Sequence, residues 1–543
     1  MKRLASMFVL LVFLILVGCS SHASIDSGSG EETKNDSNSE ENQSDENKKL
    51  RLGWGSDGGF PSPFAFSPVG PAGYLRVSYI YDSLAWKDEE GLQPWLAKDW
   101  KISEDGLKYE VHLRKGIEWH DGEALTASDV KFTFDYIAKH GFAWGDTSMV
   151  DAVKVKDEST IVITLNKPYS PFVEEVMGII PIIPEHVWSE VDDPVAFRGE
   201  GATVGTGPYK LITYNQESGQ YLFEANPDYF KGKPVIDEIT YVTVDNQVLA
   251  LKNKDLDAAR INYKDIKAFE KAGYKVMESN PHGSIVRIVF NLEQELLGQK
   301  EMRQAIAYAL DRETIAKKVL GGNIVVGNAG VIPPGSPWYN PDVKKYKYNQ
   351  EKAKEILKEL GYTDQNNDGM LESESGEPLT LNLMVASNAR DGQLMKDMLE
   401  NVGIKVNLQK VDKTTFTTSM GENNYDMAIT GHIGVSGDPD FLRRWFTGTE
   451  YNEFAARGSV LKNEKFHNLA QKQLTIADFR KRKEVVDQIQ EVLAEEVPTL
   501  PIYHRPFYWA YDSSEFNGWF NTWGGIANGI PLWENKAAFL PHD

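Results

Sequence analysis

EKAKEILKELGY (351–362), LTLNLMV (379–385), IKVNLQKV (404–411) and YDMAIT (425–430) follow one another in the second half of the chain, and their periodicities decide the fold class. In the first, Ala353, Ile356, Leu357 and Leu360 recur at i, i+3, i+4 and i+7, one face of a 3.6-residue helix. The other three are of strand length and rich in apolar or β-branched residues, with a helix expected from about Gly392 to Val402 between the first two. Elements interleaved in this α-β-α-β-α-β manner predict a parallel or mixed sheet covered by helices, an α/β fold.

Outward from this run, Glu301 to Leu320 reads as one long helix. Another, Asp478 to Glu495, turns Val485, Val486, Ile489, Val492 and Leu493 inward and stops before Pro498. Thr499 to Tyr503 would then cross back toward the N-terminal half. There, strands are expected at 49–54, 107–114, 160–165, 208–214, 236–244 and 284–292, and Ser128 is placed to cap a helix running through Lys139. No internal repeat of 20 to 50 residues is visible.

The N-terminus specifies export. Lys2 and Arg3 precede an apolar run from Met7 to Val17, shorter than the roughly 20 residues that span a bilayer, so 1–18 is expected to be a removed signal peptide. The run ends in Leu16-Val17-Gly18-Cys19, which resembles the bacterial lipobox; Cys19 is the only cysteine, and lipidation explains it better than redox chemistry. Residues 19–48 hold almost no large apolar side chain and read as a lipidated, disordered tether reaching on the order of 30 Å. The expected location is the outer face of the bacterial cytoplasmic membrane, touched through lipid alone.

The remaining body, about 490 residues, exceeds what one hydrophobic core serves, so two or three lobes are expected. A formal net charge of -21, with no long Lys/Arg stretch, argues against nucleic acid as a partner.

LAKDWKISEDGLKYEVHLRKGIEWHDGEALTASDVKFTFDY at 96–136, VGTGPYK at 204–210, EMRQAIAYALDR at 301–312 and YDMAITGHIGVSGDPD at 425–440 resemble the peptide and nickel substrate-binding proteins of ABC importers, solute-binding family five. The resemblance spans the whole mature body. It implies a bilobed, periplasmic-binding-protein-like fold (type II, in an enlarged three-subdomain form) with mixed sheets and a two-segment hinge near 284–290 and 497–503. Lobe 1 would comprise 49–77, 202–285 and 500–543, carry an accessory subdomain at 78–201, and face lobe 2 at 286–499. The implied function is capture of oligopeptides or dipeptides by lobe closure and delivery, as a monomer, to permease subunits driven by cytoplasmic ATPases. Nickel-chelate or oligosaccharide receptors of the same family are the alternative.

In the peptide-binding members an aspartate after the YD strand pairs with the ligand's ammonium group, which here points to Asp438 first and Asp440 second; capping of the helix that starts at Phe441 is the competing role. Those members often carry a tryptophan just before that aspartate, whereas this chain has His432, Gly434 and Gly437. His432 could touch a ligand or metal chelate, or satisfy a turn. The resemblance also puts Trp54, Asp57 and Phe60, and Tyr508, Trp509 and Trp523, near the cleft.

Three features of the sequence bear on other chemistry. Gly53 to Gly58 matches GxGxxG after a strand, but Pro61 and Pro63 oppose the helix a dinucleotide site needs. Asp364 to Gly369 matches the first half of an EF-hand loop; Ser375 stands at the twelfth position, so a structural Ca²⁺ held by Asp364, Asn366 and Asp368 would need Glu372 or Glu374 as its last ligand. No cofactor is otherwise implied. Absence of HExxH, Walker, GxSxG and CxxC motifs argues against an enzyme, and a surface hydrolase or adhesin is the least favoured reading.

Overall fold

The computed structural model describes residues 47–280, 282–321, 324–386, 390–448 and 457–541; the signal segment, Cys19 and all but the end of the tether lie outside the described residues. Two mixed sheets organise the body. The first has seven strands, in the order Lys275–Glu278, Tyr508–Tyr511, Ala258–Ile261, Lys49–Trp54, Glu238–Thr243, Gln220–Ala225 and Tyr209–Asn215. Lys49–Trp54 lies parallel to both neighbours, and its alternate residues Leu50 and Leu52 are buried. Three separate stretches of chain therefore build one sheet.

The second sheet orders Val325–Val326, Thr499–His504, Ser284–Phe290, Met427–Ile433, Thr380–Ala386 and Lys405–Val411. Its last three strands are mutually parallel, as the interleaved helices require, while Ser284–Phe290 runs antiparallel between Thr499–His504 and Met427–Ile433. A four-stranded antiparallel sheet from Ala97–Ile102, Lys108–Leu113, Thr160–Leu165 and Val150–Asp157 completes the body. One aromatic-rich core runs from the first sheet through the Ala72–Ile80 helix into this four-stranded sheet, and a separate core underlies the second sheet.

Two expectations shift. The helix at 127–140 is capped by Thr126, not Ser128: the amide of Thr126 donates to Asp129 Oδ2 at 2.8 Å in a capping box. The long helix expected at 301–320 is two, Lys300–Ala309 and Arg312–Leu320, because Asp311 accepts from the Thr314 amide at 3.0 Å and opens a new helix. The EF-hand-like loop is closed by its own amides. Asp364 accepts from Asp368 and Gly369, Asn366 from Asp368, and the buried Glu372 from the Gln365 amide. The Asn366 side-chain amide also donates to Asp368 and Glu372, and among the described residues no three or more acidic, His or Cys side chains converge as a metal site.

The chain passes between the first and second sheets twice. One crossing lies between Glu278 and Ser284, the other between His504 and Tyr508, just outside the segments expected to bend, which are strands paired along their length. The crossings brace each other: the Ser279 amide donates to Phe507 O at 2.9 Å, the Phe507 amide to Ser279 Oγ at 2.9 Å, and the Arg505 amide to Ser284 O at 2.9 Å.

Candidate functional site at the seam between the sheets

Beyond the strand Met427–Ile433 the chain turns through 434–440 and lies directly on the C-terminal segment 525–531. Gly434 has φ +88°, and a Cβ there would come within 2.5 Å of Asn528 O. A Cβ on Gly437 would sit 2.8 Å from Gly529 Cα. Only glycine permits such backbone contact, and Ser436 Oγ pins it by donating to Gly529 O at 2.9 Å. A second contact joins the four-stranded unit to the helical layer beside the second sheet: the Ser170 amide donates to Leu474 O at 2.7 Å, and the single proton of its hydroxyl is shared between Leu474 O at 2.8 Å and Ile476 O at 2.7 Å.

Between these contacts runs a chain of buried charges. The π-helical turn Val173–Met177 presents Glu174, 2.5 Å from Lys87 Nζ, and Glu175, 3.8 Å from Arg444. Across the seam Arg443 forks onto both oxygens of Asp440 at 2.8 Å, and Gln473 donates to Asp440 at 2.8 Å. Arg482 forks onto Asp438 at 2.6 and 2.7 Å and donates to Gln473. Burial pushes the Glu175 carboxyl up to about 7 against the pull of Arg444, with Glu174 and Asp438 adding to the rise. Burial also raises Asp438 despite Arg482, whereas for Asp440 the same penalty is outweighed by Arg443.

The expectation that Asp438 or Asp440 offers a carboxylate to a ligand thus meets an arrangement in which both carboxylates are buried and held by arginine forks. Asp438 also accepts from the Asp440 amide at 2.8 Å, while Asp440, immediately before Phe441–Phe446, makes no capping bond. His432 is half-buried, its ring edge-on to Trp445 with centroids 5.1 Å apart; burial, with Arg287 and Arg444 nearby, lowers it to about 3.

The remaining candidates divide between surface and core. Trp54 ends its strand half-buried, with two guanidinium groups near its ring, Arg76 at 5.4 Å and Arg260 at 5.0 Å. Asp57 is spent on its own loop, accepting from the Tyr214 hydroxyl at 2.6 Å, the Tyr221 hydroxyl and the Gly59 amide. Tyr508 is buried beside Tyr263, Trp509 stacks on Trp533 with centroids 5.7 Å apart, and Trp523 is 39% exposed beside Gly91. Sequence reasoning missed Arg260, Glu175, Arg444 and Glu534. Nothing in the chain distinguishes Arg260 among 58 Lys and Arg; its neighbours Phe507, Pro531 and Glu534 arrive from the far end of the sequence.

Residues 91–453 match the family described as bacterial extracellular solute-binding proteins, family 5 (middle region). The chain belongs to that family. Within family 5 it is 30% identical over 455 residues to the oligopeptide-binding protein AppA of Bacillus subtilis, an alignment covering 78% of this chain and 80% of AppA. The structure of AppA with a nonapeptide superposes with a TM-score of 0.68 at 25% identity, covering 85% of this chain and 94% of that one. NikA from Brucella suis, solved with Fe(III)-EDTA, has the same fold, with a TM-score of 0.76 at 22% identity over 91% of this chain and all of that chain. Family 5 is a family of binding proteins, and the mixed-sheet architecture is the one its members share.

Proposed function

We propose that this chain is the external receptor of an ABC importer, closing two lobes around a peptide and passing it to membrane-spanning subunits powered by cytoplasmic ATPases. The observation that carries the reading is the pair of mutually braced crossings, 278–284 and 504–508, through which the chain passes between the first and second sheets. Such a body can rotate about two short segments while each sheet stays intact. We take the first sheet with the four-stranded unit attached, 49–278 and 508–541, as one lobe and the body of the second sheet, 284–504, as the other, because boundaries at 285 and 499 would cut two strands of the second sheet. Closure is then favoured only by a ligand that contacts both. Similarity to an oligopeptide-binding protein supports a peptide as cargo.

A metal chelate is the second reading, and His432, a side chain of metal-ligand type on the strand that leads into the 434–440 turn, favours it. In both readings the chain works as a monomer anchored by lipid on Cys19. Native mass spectrometry of freshly purified protein tests the choice, with a retained peptide or a retained metal complex as the deciding mass. A Cys19→Ser variant is expected in the culture medium; fractionation that finds it still with the membrane removes the anchor.

A further inference from the structure

Glu174, Glu175, Asp438 and Asp440 meet Lys87, Arg443, Arg444 and Arg482 where the turn Val173–Met177 lies against the 434–440 turn and the helix after it. In number these charges balance. In geometry they do not, because three of the acids hold a cation within hydrogen-bond reach: Glu174 has Lys87 at 2.5 Å, Asp440 the Arg443 fork at 2.8 Å, and Asp438 the Arg482 fork at 2.6 and 2.7 Å. Glu175 is the exception. Its Oε2 stands 3.8 Å from Arg444 Nη2, beyond a hydrogen bond, and the same guanidinium is shared with Asp440 at 3.9 Å.

Glu175 is nonetheless only 8% exposed, and the groups that face it come from both sides of the seam. On its own side are Glu174, Lys87 from the strand Ala85–Asp88, and Tyr169. From the other come Arg444, on the helix Phe441–Phe446, and Asp438. A Cβ on Gly437 would lie 3.5 Å from Glu174 Oε1, so the two turns are in contact beside the acid. A carboxylate enclosed in this way keeps its charge at a cost that only a hydrogen-bonded cation offsets, and a proton removes that cost. Burial, Glu174 and Asp438 together push Glu175 up to about 7, against Arg444 and Lys87. Rotation about the crossings would carry Arg444 and Asp438 away and bring water to the carboxyl, returning it toward its ordinary range.

We infer that Glu175 takes up a proton as the seam closes, so that acid tightens the receptor's hold on its solute and neutral solution loosens it. This rests on the two-lobe receptor reading above, and it makes the proton a second ligand of the closed form. The sign follows from the raised value: the closed form gains as pH falls from about 7 toward the ordinary 4.5, with no further gain below it and none above about 7.

The test is titration calorimetry on the intact body at pH 5 and pH 7, with alanine tri- to pentapeptides and nickel–EDTA as probes. The peptide termini, titrating near about 3.5 and about 7.8, hold nearly the same charge across that range. Wild type is expected to bind at least one probe about five- to fortyfold tighter at pH 5 than at pH 7. Run at pH 6 in buffers of different ionisation enthalpy, it is expected to take up about half to one proton per solute bound. Glu175→Gln, neutral and of the same shape, should bind equally at both pH values and take up no proton. If that variant does not fold, Glu175→Met, neutral and of similar volume, replaces it with the same expectation. Wild-type affinity that is flat from pH 5 to pH 7, or a pH dependence that survives in the variant, overturns the proton assignment and leaves the receptor standing. Failure of the wild-type protein to bind any probe at either pH overturns both.

Discussion

Removing the Asp438 carboxylate would leave the Arg482 guanidinium buried with Gln473 as its remaining side-chain acceptor. Breaking one half of a buried ion pair costs about 3–5 kcal/mol, mostly the uncompensated charge. Asp438→Ala is therefore expected to lower the unfolding free energy from urea melts by that amount, and Asp438→Leu combined with Arg482→Met to recover most of it. A loss below about 1 kcal/mol in the single variant would show that the pair does not hold the fold. Glu175 supplies a pH signature. Its folded-state value, about 7, lies above the ordinary 4.5, so between these limits the native state holds a proton that the unfolded chain has released. Its contribution to stability is then full below about 4.5, falls as pH rises to about 7 and is constant above. Thermal melts of Glu175→Gln should lack that decline while the wild type shows it; parallel pH profiles would remove Glu175 as the cause. At this scale the sequence misleads for a physical reason: Asp438 reads as an anchor for a cation, but the cation that claims it stands 44 residues away on another helix.

Single elements were more legible, because their signals are local. The face Ala353, Ile356, Leu357 is buried in the helix Gln350–Glu359, and all five residues expected inward on Phe479–Glu496 are buried. Errors arose where a polar side chain competes with the helix: Asp311 ends one and begins another, and Thr126 takes the cap two positions before Ser128. The turn 434–440 shows the opposite limit. Its glycines replace expected aromatic bulk, and only the structure gives the reason, a backbone-on-backbone contact with 525–531. Gly437→Ala would drive a methyl group to 2.8 Å from Gly529 Cα, where neither chain can yield as a side chain could. If the seam belongs to the closed form as proposed, the variant is expected to leave the unfolding free energy of the ligand-free protein within about 1 kcal/mol of wild type but to weaken ligand binding at least tenfold. Equal loss of stability with and without ligand would mean the contact belongs to the fold rather than to closure.

For the whole molecule, the first sheet draws on three stretches of chain and the second is entered and left through two crossings, a topology no local periodicity could announce. Resemblance across long motifs carried that part of the reading, and the segments expected to bend, near 284–290 and 497–503, adjoin the two crossings between the sheets. If the lobes rotate about the crossings as proposed, contacts far from the hinge should govern the balance between open and closed forms. Ser170 is such a contact: its hydroxyl serves Leu474 O and Ile476 O from the opposing unit and nothing within its own. Ser170→Ala deletes those bonds, with a net loss of about 0.5–1.5 kcal/mol, and charges it to the closed form alone. The expected result is a two- to tenfold rise in Kd, the same melting temperature without ligand, and a small-angle scattering profile that at subsaturating ligand stays nearer the open form than wild type. If the variant instead melts early and binds normally, Ser170 stabilises the lobes in both states, and the rotation must be resisted by the glycine seam and the Glu175–Arg444 contact alone.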